Sequence, residues 1–401
     1  MQSHDTYSFI HSDDSRLNKV IELWDAFANS ISRGEKIGVV YHGDMDGLVG
    51  ATYIRRALLK YVPETMTVTY WVSTDEYDFE LLRQWVSEQN LNKFVSTDVS
   101  IENHQPTLQF ISQHVSDKVF IYDHHFVNGV VNDPKVTLAN PTPDKLGKST
   151  VPIPTFLFAY RVARENNLHF PDWLLLLSIF AEGVDSFFED ETRILYERVF
   201  DKKASNSIQE DFKRTPLSKI SNLVRAGFSL PQKSNTALQL LDRVATGDLL
   251  SFVDFRQQLA SEFEQTASDI ASGITHYLNV WKRKLGSTEF RDEPVVFIPI
   301  NAPHSVAGPV ASILRGQYPD KVLITYIHRD DKVVFELRTR NDTHLNLAKI
   351  LGRVASEVEV INYGGHPMAA GAIIRWADLR KFTETLEREI LADFQKAGGD
   401  E

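Results

Sequence analysis

Apolar runs of strand length alternate with amphipathic stretches over the first 190 residues. Val20, Leu23, Trp24, Phe27 and Ile31 recur at helical spacing; KIGVVYH (36–42) then reads as a buried strand and GLVGATYIRRALLKY (47–61) as the helix after it. VTYWV (68–72), KFVSTDV (93–99) and VFIYDHH (119–125) add three strands, separated by the helical patterns FELLRQWVSEQ (79–89) and TLQFISQHV (107–115). Strand–helix alternation of this kind predicts an α/β domain with a mainly parallel sheet. NPTPDKLGKSTVP (140–152) reads as a loop broken by proline and glycine, followed by helical patterns to about residue 188.

No strand signal appears between 196 and 285. Leu259, Phe263, Ile270, Ile274, Tyr277 and Trp281 form a helical stripe there, which predicts a long connecting helix whose stripe serves packing. Strand signals return in VVFIPI (295–300), in a hairpin of KVLITYIH (321–328) and KVVFELRT (332–339), and in INYGGHPMAAGAII (361–374), read as a glycine-rich loop entering a strand. A last helix is expected near 377–396. The predicted architecture is two α/β lobes, residues 1–195 and a smaller 286–401, joined by a helical segment over 196–285. A length of 401 residues allows a core in each.

Polar residues gather where the predicted strands end, which is where open α/β sheets bind ligands. The first strand ends in His42, Asp44 and Asp46, the KFVSTDV strand in Asp98, and the VFIYDHH strand in Asp123, His124 and His125. The apolar helix LLLLSIFAEGVDSF (174–187) carries Asp185 near its end. Each has an ordinary structural use: Asp-x-Asp-Gly makes turns, a lone Asp caps helices, and paired histidines can sit at a surface. In this order, at successive strand ends, they point elsewhere. Adjacent carboxylates repel and cost desolvation unless divalent cations sit between them. Oxygen and imidazole donors without sulfur suit Mn²⁺, Mg²⁺ or Fe²⁺, and two such ions can activate water for displacement at phosphorus.

Charge and composition narrow the classes. The net charge of −11 excludes a global basic footprint, so a long polyanion needs a local basic patch, while a small anion or a metal does not. Cysteine is absent, which excludes disulfides and thiolate ligands. The N-terminus shows no charged-then-apolar leader, and WLLLLSIFA (173–181) is too short to span a bilayer. The expectation is a soluble, cytoplasmic protein without membrane association.

HGDMDG, STD, YDHH and GVD, followed by GGHPMAAG, resemble the DHH phosphoesterase superfamily, in the subfamily with the DHH-associated C-terminal domain: RecJ-type exonucleases and nanoRNase-type oligonucleotide phosphodiesterases. The resemblance runs from about residue 36 to about 375. It implies a catalytic DHH domain over 1–195 and a substrate-binding domain over 286–401. It also implies two divalent ions, Mn²⁺ first among them, with Asp44 on one, Asp46 on the other and Asp98 bridging. His124 and Asp185 complete the second ion, His42 joins the first, His125 faces the substrate phosphate and Asp123 orients its neighbours. A hydroxide between the ions would be the nucleophile. Many relatives place a histidine ligand four residues before the first aspartate; Val40 stands there in this sequence, and His42 takes the role instead. In the C-terminal domain Gly364, Gly365 and His366 match the glycine-rich motif, and Arg338 in FELRTRN is the candidate phosphate clamp, with Arg340 read as a solvated strand residue. NAPHSVAG (301–308), with His304, is a further candidate cleft segment.

The expected activity is hydrolysis of short oligonucleotides or linear dinucleotides such as pGpG to mononucleotides, because no barrel-like strand set for gripping a single strand follows the second lobe. A RecJ-like single-strand DNA exonuclease remains the alternative, with RRALLKY (55–61) and VWKRK (280–284) as pieces of a basic channel; a polyphosphatase or pyrophosphatase ranks lower. A catalytically silent nucleotide sensor would lack a central metal ligand, and none is missing. A homodimer is left open, and no protein partner can be inferred.

Overall fold

A computed structural model describes residues 14–72, 79–125, 127, 131–142, 153–230, 233–245, 251–304, 306–340 and 345–397. The predicted loop lies outside the described residues over 143–152, as do residue 305 of NAPHSVAG and Asn341 of FELRTRN. The described residues divide into two compact units, one drawn from 14–72, 79–124 and 131–267, the other from 125, 127 and 268–397.

In the first unit α1 (Ser15–Ala28) precedes β1 (Ile37–His42), and α2 (Met45–Leu58), β2 (Thr67–Val72), α3 (Glu80–Gln89), β3 (Lys93–Thr97), α4 (Gln105–His114), β4 (Lys118–Tyr122) and β5 (Val136–Ala139) follow in turn. All five strands are parallel, in the order β2-β1-β3-β4-β5. The chain leaves β1 to one side to make β2, then returns to make β3 on the other. The carboxyl ends of β1 and β3 therefore flank the topological switch point, where a crevice opens above the sheet. β1 and most of β4 are buried and read as near-continuous apolar runs, whereas β3 is buried throughout although Lys93, Ser96 and Thr97 interrupt its pattern. The pattern did not predict β5, whose four residues are mostly half-buried.

Helices α5 (Thr155–Glu165), α6 (Asp172–Glu182), α7 (Glu189–Phe200), α8 (Ile208–Lys213), α9 (Ile220–Phe228) and α10 (Ser234–Ala245) complete this unit. Helix α2 is buried continuously from Met45 to Ile54 because α5, α6, α9 and α10 pack around it. Arg55 pairs with Asp242 and with Glu64, and Arg56 Nη1 donates to the Asp242 carbonyl at 3.4 Å, so the basic end of α2 anchors α10. Helix α11 (Phe252–Leu285) is the long helix expected from the stripe and runs from the first unit's residues into the second's.

In the second unit β6 (Val295–Ile300), α12 (Ala307–Gln317), β7 (Val322–Arg329), β8 (Lys332–Arg338), α13 (Leu347–Ala355), β9 (Asn362–His366), β10 (Ala369–Arg375) and α14 (Leu379–Ala397) build a mixed sheet of order β6-β7-β8-β10-β9. Its core joins Ile324, Phe335, Leu337 and Ile374 of the sheet to Leu347, Ile350 and Leu351 of α13 and Phe382, Leu386 and Ile390 of α14. The segment expected to be a glycine-rich loop is instead strand β9, hairpin-paired to β10. Gly365 has φ +133°, and a Cβ there would lie 2.5 Å from Ala370 Cα, so glycine alone lets β10 pass this close. Among the described residues no helix is long and apolar enough to cross a membrane.

Candidate metal and phosphate site

Parallel pairing of β1 with β3 and of β3 with β4 sets the three strand ends side by side, with Tyr41 opposite Thr97 and Thr97 opposite Tyr122. Beyond them the chain turns sharply. Asp98 takes φ +64°, a left-handed conformation that Asp tolerates better than most residues, and its N–H donates to the Tyr122 carbonyl at 3.0 Å. Asp44 caps α2 by accepting from the Gly47 N–H at 3.0 Å.

The buried His42 ring closes on these carboxylates, with Nδ1 2.8 Å from Asp44 Oδ2 and 3.7 Å from Asp98 Oδ2. On the other side His124 Nε2 lies 3.1 Å from Asp98 Oδ1 and 3.5 Å from Asp46 Oδ2. Asp98 thus touches both halves, the placement a bridging ligand needs. Asp46 has a second task. Its carboxylate accepts from the Thr155 N–H at 2.8 Å and the Phe156 N–H at 2.7 Å. The residue before α5 is Pro154, which makes no side-chain cap bond, so α2 supplies the cap for α5 from 109 residues away.

Two donor sets in this unit can each close on one cation: His42, Asp44 and Asp98, and Asp46, His124 and Glu182, with all ligand atoms in a set within 4.8 Å of one another. Hard carboxylate oxygens with imidazole nitrogens fit Mn²⁺ or Mg²⁺. The electrostatics agree. Burial, then the charges of Glu182, Asp98 and Asp44, push the Asp46 carboxyl well above the usual range despite the Thr155 N–H. Burial pushes the Asp44 carboxyl the same way, but the His42 imidazole, the Gly47 N–H and the Arg225 guanidinium outweigh it and hold Asp44 below the usual range. A buried cluster of this charge is stable when cations neutralise it.

Of the eight residues expected in this unit and in the histidine pair, His42, Asp44, Asp46, Asp98 and His124 stand in the two donor sets, and Asp123, fully buried, directly precedes His124 in the chain. His125, half-buried, follows His124 and is counted with the second unit's residues. Asp185 is buried in the turn after α6, where its Oδ2 accepts from Gln209 Nε2 at 2.7 Å, and Glu182, at the end of the same helix, stands in the donor set instead. Sequence reasoning did not single out Glu182, nor Glu102. Glu102 is fully buried, and burial followed by the charge of Asp123 raises its carboxyl well above the usual range.

These directions predict a pH dependence. A carboxyl whose folded pKa is raised, as for Asp46 and Glu102, leaves stability intact below its unfolded value and removes it as pH rises through the folded value. Asp44, lowered, contributes stability above its unfolded value and loses it only in acid. Above the unfolded carboxylate range, roughly pH 4 to 4.5, the first two decide the slope, so the metal-free protein should melt at lower temperature as pH rises, and Mn²⁺ should reverse the trend. Thermal unfolding in chelator and in Mn²⁺ above that range checks it; a metal-free Tm that climbs with pH contradicts it.

In the second unit Arg338 ends β8, and its register partner Ala369 is in turn opposite His366, so the three form one backbone row across β8, β10 and β9. Of His366 only the backbone is described. Gly364 and Gly365 precede it in β9. The Arg338 guanidinium is engaged: Nη2 pairs with Glu336 Oε2 at 2.8 Å and Nε donates to Ser312 Oγ at 3.2 Å. Arg315, one turn after Ser312 on α12, has its pKa lowered by burial and by the neighbouring charges of Arg338 and Arg340, which marks a local concentration of guanidinium groups. Arg340 is exposed, and His304 is half-buried in the turn before α12.

Comparison with known proteins finds one domain family and several structures of like fold. Residues 292–392 match the DHHA1 domain family. Among curated proteins none matches the sequence. The chain superposes on RecJ in complex with Mn²⁺ from Thermus thermophilus with a TM-score of 0.58 and 19% identity, over 94% of this chain and 54% of that one. It therefore spans about half the length of that RecJ. A second structure, exonuclease RecJ bound to manganese, matches with a TM-score of 0.53 and 16% identity over 94% of both chains. A DHH-domain member of the s1p family of ribosomal proteins matches with a TM-score of 0.60 and 15% identity, over 96% of this chain and 92% of the other.

Proposed function

We propose that the chain, which matches the DHHA1 domain family over residues 292–392 and has the fold of RecJ structures, is a metal-dependent DHH phosphodiesterase acting on short oligonucleotides or linear dinucleotides. The observation that carries this reading is the pair of donor sets sharing one switch point, linked through Asp98 and His124. His42, Asp44 and Asp98 would hold one divalent ion; Asp46, His124 and Glu182 would hold the other, with Asp185 the alternative to Glu182. When bound, the ions would supply a water of lowered pKa and offset charge at phosphorus.

The chain's own residues do the rest. Asp46 is fixed by the amino end of α5, so its position does not depend on the ion alone. His42 is held by Asp44. Asp123 orients the histidine pair, and His125 meets the substrate phosphate. In the second unit Arg338, Gly364, Gly365 and His366 take a phosphate of the substrate, with guanidinium donors and close backbone approach.

Short substrates are favoured by charge. A long strand needs a continuous basic track, and the net charge is −11. In the two basic segments that would build one, Arg55 is paired with Asp242 and Glu64, and Lys284 lies over the Trp281 ring at 4.5 Å. The second reading, a single-strand DNA exonuclease, draws on the fold likeness to exonuclease RecJ. A panel with Mn²⁺ tests both: pGpG, two- to five-nucleotide RNA, long single-stranded DNA, cyclic dinucleotides and polyphosphate. Rates should fall as the strand lengthens beyond a few nucleotides. Equal rates on a dinucleotide and a long strand select the exonuclease.

A further inference from the structure

Side chains alternate across β8. Phe335 and Leu337 belong to the core shared with α13 and α14, whereas Glu336 and Arg338 face α12 on the other side of the sheet. The core face continues onto β7 and β6 as Tyr326 and Phe297, whose register partners Phe335 and Ile324 are core residues. Both rings are only half-buried. Beside α14 they line an open cavity of about 560 Å³ whose walls also include Trp376, Arg380, Glu384 and Glu387. Trp376 is 48% exposed yet fixed in place: its N–H donates to the Asp331 carbonyl at 2.7 Å, and its ring lies on His328 at a centroid distance of 4.0 Å. This cavity is not the candidate phosphate site. Trp376 follows Arg375, the register partner of Lys332, so it stands about 20 Å along β8 from Arg338 and on the opposite face.

The α14 wall carries both signs of charge. Arg380 Nε donates to Glu384 Oε1 at 2.8 Å, which leaves the Arg380 Nη groups without a partner among the described residues. Glu387 is half-buried and meets no hydrogen-bond or ion-pair partner among them either. A carboxylate in that position gives up part of its hydration for nothing in return, a cost that donors on a ligand would offset. An organic cation would supply them but would face the Arg380 guanidinium, and an anion would face Glu387. The wall suits a neutral ligand with donors and acceptors along one planar edge and an apolar face to lay against the rings. A guanine base has that edge: N1–H and the 2-amino group donate, which fits a carboxylate, and O6 and N7 accept, which fits a guanidinium. Arg380 and Glu387 are two helical turns apart, about 10 Å, which two long side chains can close on one base. The volume is that of an ordinary small-molecule site.

We infer that this cavity is a guanine-binding site, with the base against Trp376 and Tyr326, Glu387 on its N1–H and 2-amino donors and Arg380 on O6 and N7. Its ligand is a guanine nucleoside or nucleotide, held on the second unit away from Arg338. The inference does not depend on the phosphodiesterase reading.

The test is calorimetric titration of the manganese-loaded full chain with nucleosides, which carry no phosphate for the metal site to take. Guanosine should bind. Inosine, lacking the 2-amino donor, should bind roughly 10-fold more weakly, and adenosine and cytidine roughly 100-fold more weakly. Glu387→Gln should weaken guanosine roughly 10- to 100-fold, and Trp376→Ala roughly 10-fold through lost stacking, with hydrolysis of a two-nucleotide RNA unchanged in Glu387→Gln. A wild type that binds no guanosine overturns the inference, as does equal affinity for guanosine and adenosine or wild-type affinity in Glu387→Gln. Tighter binding of butylguanidinium than of guanosine would make the cavity a cation site and overturn it. A dimer in light scattering that Trp376→Ala turns into a monomer would make it a contact between copies, with the same result. Selective guanosine binding lost in Glu387→Gln supports the site even if the chain cleaves no phosphodiester.

Discussion

Asp98→Asn should lower turnover by roughly 10²- to 10³-fold or more while leaving the metal-free fold at least as stable as wild type. The asparagine is chosen for the backbone. Asp98 sits at φ +64°, where alanine costs about 1 kcal/mol or more and asparagine is well tolerated. The substitution keeps the shape and the main-chain bond to Tyr122, and it removes one negative charge that faces His42 on one side and His124 on the other. Without cations that charge is a burden, because it is one of the groups that drive Asp46 upward. With cations it joins the two donor sets. The variant should therefore bind fewer than two equivalents of Mn²⁺, and Mn²⁺ should raise its Tm less than it raises that of the wild type. Two bound equivalents with near-wild-type turnover would remove Asp98 from the centre of the site.

The strand ends were legible because a strand buried on both faces of a parallel sheet, as β1 is, reads as a largely apolar run, and whatever follows the run stands at the crevice. His42, Asp44, Asp46, Asp98 and His124 could be read this way. Glu182 could not, since it closes an apolar helix and resembles any solvated acid at a helix end; only the packing of α6 against α2 brings it to Asp46. The motif reading favoured Asp185, three residues on, whose carboxylate is bound to Gln209. The capping of α5 by Asp46 was equally hidden. Its signal was indirect: a helix that starts after a proline with no capping side chain must find its acceptor elsewhere. In the second unit GGH read as a loop because two glycines in succession suggest a turn. The β9–β10 hairpin uses Gly365 instead to let two backbones approach.

Gly47→Ala should be the most damaging single methyl that can be added to the first unit's metal loop. Gly47 opens α2, where its N–H bonds to Asp44, and the chain folds back so tightly that a Cβ would lie 2.8 Å from His42 N and 2.9 Å from its carbonyl carbon. These are main-chain atoms of β1, hydrogen-bonded into the sheet between β2 and β3, so no side-chain rotation can relieve the clash. Either α2 slides or β1 bends, at a cost of about 3 kcal/mol, the upper end of the usual overpacking range. The same shift must also move His42, Asp44 and Asp46, which lie within five residues of Gly47, so Mn²⁺ affinity should fall with stability. Gly316→Ala is the control. Gly316 lies in α12 with nothing within 4 Å of its would-be Cβ, and alanine is the better helix former by about 1 kcal/mol. Denaturant unfolding of both variants, with manganese titration of each, should give opposite signs: a large loss for Gly47→Ala and a small gain for Gly316→Ala. Equal stability and equal metal affinity in Gly47→Ala and wild type would mean that the turn from β1 into α2 is looser than its geometry requires.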